Sequence, residues 1–162
     1  MKGEPPAPRF LLTHPAHFYA LGFGAGLARA APGTFGTLVA LPIAAVLWHT
    51  VGDLGFVAAL VVLGALGVWA AQITGRDLAV PDHGAIVCDE VVAFLLVLFF
   101  TGPDIRMIAI GFALFRFFDV VKPPPIRWLD MRWKNGAGVM ADDLLAAGYT
   151  LIALALLRRW IA

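Results

Sequence analysis

The sequence predicts an all-α protein that crosses a membrane several times, with about five hydrophobic helices packed in one bundle. Hydrophobic residues occupy 60% of its 162 positions, and the mean hydropathy is +0.84. Only 14% of the residues are charged, against roughly 25% in ordinary soluble domains. A soluble domain of this length would need more polar surface than this composition supplies, so we expect the protein to reside in a membrane.

Five apolar runs predict the helices of the bundle, and each is close to the roughly 20 residues that span a bilayer. They fall near 34–51, 54–73, 86–101, 104–121 and 141–161. The run 54–73 carries no charge, whereas Pro42 predicts a kink in the first run. The run 86–101 is short for a span, and we expect it to be tilted, shallow or buried among its neighbours.

Lysine and arginine favour the N-terminus and every second link between these runs. The positive-inside rule places those segments in the cytoplasm, although Arg158 and Arg159 at the C-terminus disagree with it. The N-terminus has no continuous apolar region of the kind found in signal peptides. We therefore predict a flexible tail over 1–16 and a single helical membrane domain over 17–162.

Charge and cysteine content exclude several functional classes. The net charge is +1, so no large basic field indicates nucleic-acid binding. The single cysteine, Cys88, forms neither an internal disulfide nor a cysteine-based metal site. We interpret it as a small apolar residue within a helix.

The segment DHGAIVCDE contains the first candidate site residues, which are Asp82, His83, Asp89 and Glu90. Carboxylates in the first turn of a helix are often explained by the macrodipole alone, at about 0.3–1 kcal/mol each. Here the helix continues into an apolar run, where acidic residues are costly and usually functional. We therefore favour a functional role for this group.

The segment FRFFDVVKPPPIRWLD places Arg116, Asp119 and Lys122 at the end of the fourth run, which the following prolines terminate. One interpretation is an Arg–Asp pair that neutralises itself beside a lysine extended toward the interface. The other is an anion clamp in which Arg116 and Lys122 bind phosphate oxygens, while Asp119 orients the arginine or binds a metal.

Two further segments lie on the same predicted side of the membrane. GAGVMADD places Asp142 and Asp143 near the start of the last helix, where aspartate is often only a cap. GFGAGLARAAPGTFGT is rich in glycine and offers the hydroxyls of Thr34 and Thr37 near a helix N-terminus, where phosphate binds well. A packing role for its glycines is an equal alternative.

Together these segments predict carboxylates and cations at one membrane face. Oxygen ligands suit a hard cation such as Mg²⁺ rather than zinc. A metal beside arginine and lysine suits a phosphorylated substrate, and a membrane site suggests a phospholipid headgroup. The residues by themselves do not separate hydrolysis from phosphotransfer.

The four segments, in this order, resemble the motif set of bacterial phosphatidylglycerophosphatase A, over roughly residues 18–147. The resemblance implies an all-helical, Mg²⁺-dependent lipid phosphatase of the bacterial inner membrane, with its active site facing the cytoplasm. It would convert phosphatidylglycerol phosphate to phosphatidylglycerol and inorganic phosphate. The partners expected are the phospholipid substrate and the membrane, with no nucleic acid.

The resemblance also assigns roles to residues. The catalytic set comprises Asp89, Glu90, Asp119 and His83; the phosphate-binding set comprises Arg116, Lys122 and Thr34; the Mg²⁺ ligands are drawn from Asp82, Asp89, Glu90, Asp142 and Asp143. We expect direct attack by water, with a carboxylate or His83 handling the proton. A covalent aspartyl-phosphate remains an alternative, although no DxDxT motif is present.

Rival interpretations make different predictions. Another membrane phosphoester hydrolase or phosphotransferase would use similar residues, but the DGxxAR pattern of the CDP-alcohol phosphatidyltransferases is absent. A small transporter would place charges at mid-span or on both sides, whereas here they gather at one face. A soluble regulator that has lost membrane insertion would be released from membranes by high salt alone.

Overall fold

The computed structural model describes the backbone of residues 4–161 and the side chains of residues 4–159. Over this range the chain is helical and contains no strand, which confirms the predicted fold class. The α-helices are α1 Pro15–Ala20, α2 Pro32–Thr50, α3 Asp53–Asp77, α4 Cys88–Thr101, α5 Ile105–Val121, α6 Ile126–Arg132 and α7 Gly136–Ile161. Two 3₁₀ helices, Pro8–Leu12 and Gly22–Leu27, precede α2.

Each of the five apolar runs forms a helix, but the helices differ in length. Three of them, in the described part of the chain, are long and apolar enough to cross a membrane: α2, α3 and the segment Gly136–Arg159 of α7. At 14 and 17 residues, α4 and α5 are about 21 and 26 Å long, short of the roughly 30 Å hydrocarbon core. The number of candidate spans is therefore smaller than the number of hydrophobic helices.

Helix α4 lies at the centre of the bundle, where it contacts α2, α3, α5 and α7. Most of its side chains are buried, including Phe94, which packs against Phe112 and Phe115 of α5 at ring-centroid distances of 5.7 and 5.6 Å. A helix surrounded by protein on all sides is apolar all round. Burial among its neighbours, one of the three possibilities expected for this run, is confirmed.

The helix termini bring the polar segments to one end of the bundle. Helices α2, α4 and α7 begin near this end, and α5 ends there because Lys122 adopts a left-handed conformation (φ 46°) ahead of three prolines. The opposite end contains the short turns that join α2 to α3 and α4 to α5. Alternate links thus lie at the same end, as expected for an antiparallel bundle.

Close contact between α2 and α4 depends on glycine. A Cβ at Gly36 would lie 2.6 Å from the Cβ of Val87, which is too close for any real pair of side chains. One turn earlier, a Cβ at Gly33 would collide with the carboxylate of Glu90. The glycines of this segment therefore have a packing role, and that packing brings the start of α2 against the start of α4.

The segment before α2 packs on α3. The Tyr19 hydroxyl donates to the Leu63 carbonyl oxygen at 2.7 Å, and His17 Nε2 lies 3.1 Å from an Asp77 carboxylate oxygen. The division into a tail, 1–16, and a domain, 17–162, stays a prediction, and residues 1–3 and 162 lie outside the described residues. Within the predicted tail, Pro8–Leu12 is helical and the Phe10 ring stacks on His17.

Candidate active site

A charged cavity of about 400 Å³ occupies the end of the bundle where α2, α4 and α7 begin. Its wall is formed by the first turns of α2 and α4, the end of α5, the second turn of α7 and the loop that precedes α4. The predicted site residues that line it are Asp82, His83, Asp89, Glu90, Arg116, Asp119, Lys122, Asp142 and Asp143. Predicted residues from three of the four sequence segments are therefore brought into one cavity.

Three carboxylates form a compact cluster within this cavity. Asp89 and Glu90 project from the first turn of α4, and Asp143 projects from α7. One oxygen from each of the three lies within 4.8 Å of the others. The aspartates are only 7% and 3% exposed, so this negative charge is largely removed from water.

The residues of this cluster fit a divalent cation. Asp89 Oδ1 and Asp143 Oδ2 are buried and have no hydrogen-bond partner among the described residues. Buried carboxylates are strongly unfavourable unless a proton, a cation or hydrogen bonds compensate their charge. A cluster of oxygen ligands without cysteine or histidine suits Mg²⁺.

Two other predicted metal ligands line the cavity but do not belong to the cluster. Asp142 forms an ion pair with Lys122. Asp82 lies in the loop before α4, and the group of ligand atoms found among the described residues does not include it. Roles for Asp82 and Asp142 as ligands stay predictions.

Arg116 lies beside the carboxylate cluster. Its Nη1 is 2.7 Å from an Asp119 oxygen, one turn further along α5, and 3.6 Å from Glu90 Oε1. The same nitrogen donates to the Thr37 hydroxyl at 3.4 Å. The guanidinium is thus oriented by α2, α4 and α5 together, with Asp119 as its nearest partner.

Lys122 connects three helices. Its ammonium pairs with Asp142 of α7 and lies 3.2 Å from Asp130 Oδ1 of α6, a residue that the sequence did not single out. Burial disfavours the charged ammonium, but Asp142 and Asp130 outweigh burial and raise the pKa of Lys122 above its usual value. The two carboxylates therefore hold the Lys122 ammonium at the cavity wall.

The His83 ring is held by backbone groups. Its Nδ1 accepts from the Ala85 N–H at 3.1 Å, and the Glu4 backbone also hydrogen-bonds to the ring. Burial lowers the pKa of His83, although the Glu4 backbone and Asp82 act in the opposite direction. The Nδ1 lone pair of His83 is therefore occupied by a backbone hydrogen bond, and a catalytic role for His83 stays a prediction.

Thr34 is the one predicted site residue that does not line the cavity. Thr37, one turn further along α2, is fully buried, donates to the Gly33 carbonyl oxygen at 2.8 Å and contacts Arg116. Successive helical residues are about 100° apart, so Thr37 and Gly33 share the side that faces α4, and Thr34 lies about 60° away from Thr37. The sequence identified both hydroxyls as candidates, but it did not show which of them faces α4.

Cys88 is buried against α3, where its thiol lies 3.8 Å from the Gly67 carbonyl oxygen. It does not line the charged cavity. This position agrees with its interpretation as a small apolar residue of the helix.

Three apolar helices of spanning length and a charged cavity at one end of their bundle place this chain among the helical membrane proteins. The profile of the family described as Phosphatidylglycerophosphatase A matches residues 18–158. The chain belongs to this family, and the resemblance carried by its four motifs is confirmed.

Individual relatives support this membership. The chain is 40% identical over 158 residues to Phosphatidylglycerophosphatase A of Haemophilus influenzae, covering 96% of each chain. It is 38% identical over 142 residues to Phosphatidylglycerophosphatase A of Escherichia coli K12, covering 85% of this chain and 80% of the relative. A Bacteroides thetaiotaomicron relative, 38% identical over 154 residues, has a provisional name that refers to phosphatidylinositol-3-phosphatase. No solved structure matches the chain significantly.

Proposed function

We propose that this enzyme hydrolyses phosphatidylglycerol phosphate to phosphatidylglycerol and inorganic phosphate, in a reaction that depends on Mg²⁺. Its family membership makes it a phosphatidylglycerophosphatase. The observation that supports the proposal most directly is the three-carboxylate cluster in the same cavity as Arg116 and Lys122. The carboxylates suit a divalent ion, and the neighbouring cations suit a phosphate monoester. A cavity that contains both therefore suits the two bound together.

In this proposal Asp89, Glu90 and Asp143 hold Mg²⁺. When bound, the ion would offset their negative charge and withdraw electrons from the phosphoryl group. The orphaned oxygens of Asp89 and Asp143 would then gain a partner. Helices α4 and α7 supply these ligands from rigid, packed positions, which favours precise placement.

Arg116 and Lys122 bind the phosphate oxygens. Arg116 presents a planar donor group beside the cluster, and Asp119 at 2.7 Å fixes its orientation. Lys122 is paired with Asp142 and Asp130, so phosphate would compete with these carboxylates for the ammonium. Lys122 therefore contributes mainly as a positive charge held near the cavity wall.

A water molecule attacks phosphorus while the bond from phosphorus to the terminal glycerol oxygen breaks. A cavity carboxylate takes the proton of the water and returns a proton to the departing oxygen, which leaves as the hydroxyl of phosphatidylglycerol. We assign this role to a carboxylate rather than to His83, because the Nδ1 lone pair of His83 already accepts the Ala85 N–H. We therefore expect His83→Asn to reduce turnover much less than Asp89→Asn does. A labelled acyl phosphate trapped on any aspartate of the cavity would contradict direct attack by water and indicate a covalent route.

The charge distribution supports a cavity that faces the cytoplasm of a bacterial inner membrane. Exposed basic residues surround the cavity end: Arg29, Arg76, Arg127, Arg132 and Lys134. Trp128 and Trp133 are half-exposed beside them, as is usual for side chains at a membrane interface. Arg158 and Arg159 lie at the opposite end, so basic residues are more frequent at the cavity end but are not confined to it.

The test is phosphate release from phosphatidylglycerol phosphate in detergent micelles, with Mg²⁺ or with EDTA. We expect release by the wild type with Mg²⁺ and essentially none with EDTA or from Asp89→Asn. The matched control is Asp53→Asn, which changes an exposed aspartate in the first turn of α3 at the other end of the bundle. It should behave as the wild type does.

The outcomes separate the parts of the proposal. Release that survives both EDTA and Asp89→Asn would keep the substrate but remove the metal site. Faster phosphate release from phosphatidylinositol 3-phosphate than from phosphatidylglycerol phosphate would show that the proposed substrate is wrong. No release from either lipid by well-folded wild type would overturn the proposed reaction.

A further inference from the structure

An apolar groove continues outward from the charged cavity along α2. It is shallow and widely open, about 620 Å³ in volume, and lies between α2 and the segment Gly22–Leu27. Ala28 lines both the groove and the charged cavity. The two concave surfaces are therefore continuous, one polar and one apolar.

Helix α2 has two different sides. Its groove side carries Phe35, Leu38, Val39 and Pro42, at the i, i+3, i+4 and i+7 positions that share one helical face. The opposite side carries small residues and packs on α4. Phe35 and Leu38 remain 50% and 41% exposed, so large apolar side chains form a wall that no described part of the chain covers.

The position of the groove relates it to the cavity. Helix α2 begins at Pro32, beside the cavity, and passes away from it. The stretch from Phe35 to Pro42 rises about 10 Å along the helix axis, which is within the half of the roughly 30 Å hydrocarbon core that is nearer the cavity. A lipid whose headgroup enters the cavity would have its acyl chains at this depth.

Arg29 lies where the cavity and the groove meet. It is exposed, it lines the cavity and it directly follows Ala28. Arg116 and Lys122 are engaged by carboxylates, whereas no acidic side chain within the described range lies in ion-pair distance of Arg29. This cation is thus available to a second anionic group, outside the carboxylate cluster.

We propose that Arg29 and the groove bind the diacylglycerol half of the substrate, with the diester phosphate at Arg29 and one acyl chain along Phe35, Leu38 and Pro42. The inference rests on the proposed function, since the substrate has a terminal phosphate monoester, an internal diester and two acyl chains. These three parts match, in order, the cluster, Arg29 and the groove. Other exposed apolar residues, such as Val61 and Leu66 of α3, line neither concave surface.

The first test is the preference for acyl-chain length. Leu38→Trp fills the groove, and its matched control is Leu66→Trp, at a leucine that is 42% exposed on α3, against 41% for Leu38. Phosphate release is measured from dioleoyl and dihexanoyl phosphatidylglycerol phosphate with Mg²⁺. We expect the ratio of kcat/KM for the long over the short substrate to fall roughly tenfold in Leu38→Trp, as for lost contact with about two methylenes, mainly through KM. Leu66→Trp should retain the wild-type ratio, and equal ratios in both variants would overturn the proposal.

The second test measures binding directly, and it is run in EDTA, where the proposed reaction should not proceed. Phosphatidylglycerol phosphate with a diazirine in one acyl chain is photo-crosslinked to the wild type, and the modified peptides are identified by mass spectrometry. We expect labelling within 24–42 that excess unlabelled phosphatidylglycerol phosphate displaces and phosphatidylcholine does not. Arg29→Gln should weaken this labelling, whereas Arg106→Gln, at an exposed arginine of the other end, should not.

The two tests distinguish the groove from the reaction. Labelling spread evenly over the spans, or displaced equally by both lipids, would contradict the groove even if phosphate is released. Competed labelling within 24–42 without phosphate release would support the groove and overturn only the proposed reaction.

Discussion

Both ends of the bundle carry aspartates at a helix start or within the first two turns of a helix, but these aspartates have different surroundings. At the turn end, Asp104 accepts the N–H groups of Arg106 and Met107 at 2.8 and 3.3 Å, and Asp53 is exposed. At the cavity end, Asp89 and Asp143 are buried, and each has an oxygen with no hydrogen-bond partner among the described residues.

Helix capping and the macrodipole account for the first end and not for the second. A capping aspartate is already satisfied by the N–H groups that it accepts. A cluster of buried carboxylates carries a cost that the helix start alone does not offset. The contrast shows that burial and neighbours, rather than residue type or position in the helix, identify the functional carboxylates.

The largest expected difference between the ends is in activity. Asp143→Asn removes one of three clustered charges from a residue that touches the proposed metal, and we expect turnover with Mg²⁺ to fall roughly 100-fold or more. Asp53→Asn should stay within about twofold of the wild type, because this aspartate is exposed and distant from the cavity. Initial rates of phosphate release at matched protein concentration measure both, and similar losses in the two variants would remove the contrast.

Metal binding should also distinguish the ends through stability. If the cluster binds Mg²⁺, an ion concentration of 100 Kd stabilises the folded wild type by about 2.7 kcal/mol. The melting temperature in detergent should rise with Mg²⁺ in the wild type and in Asp53→Asn. Asp143→Asn should show little or no rise. A rise of equal size in all three proteins would indicate that Mg²⁺ acts elsewhere.

A smaller loss of activity is expected when the orientation of the cation at position 116 is changed. Arg116→Lys keeps the positive charge but loses the planar group that contacts Asp119, Glu90 and Thr37. We expect kcat/KM to fall roughly tenfold, with Mg²⁺ stabilisation retained because the carboxylate cluster is intact. Steady-state kinetics together with thermal melting check this combination. Full activity would show that charge alone suffices at position 116.

The smallest expected effect is at the turn end. Asp104→Ala removes the cap of α5 and should cost about 1 kcal/mol of folding free energy. Turnover per folded molecule should be unchanged, because Asp104 lies at the opposite end of the bundle from the cavity. Denaturation in detergent and activity at low temperature measure the two quantities separately. A loss of turnover without a loss of stability would contradict a capping role.

Much of the fold follows from local sequence. Apolar runs interrupted by glycine, proline or charged links allow only helices in hydrocarbon, and all five runs are helical. Composition did not decide whether the run 86–101 contacts lipid or is buried in protein, since an apolar helix suits both environments equally well. Its position among α2, α3, α5 and α7 depends on how the longer helices pack.

The composition of the site was also predictable, but its pairing was not. Nine of the ten predicted residues line one cavity, because alternate links of an antiparallel bundle meet at one end. Which carboxylates share a cluster and which bind lysine depends on helix rotation and on backbone approach at Gly33 and Gly36. Asp130 and Arg29 had no distinguishing local pattern, since their significance lies in residues distant in the sequence.

The sequence by itself determined an all-helical membrane protein, its family and the chemical types of group at one face. Those properties depend on composition, on run length and on the order of the motifs along the chain. Only the tertiary structure decided that Asp89, Glu90 and Asp143 form the cluster, that Lys122 is held by Asp142 and Asp130, and that an apolar groove joins the cavity at Ala28. The reason is physical: helical periodicity fixes which residues share a face, but packing decides what each face meets.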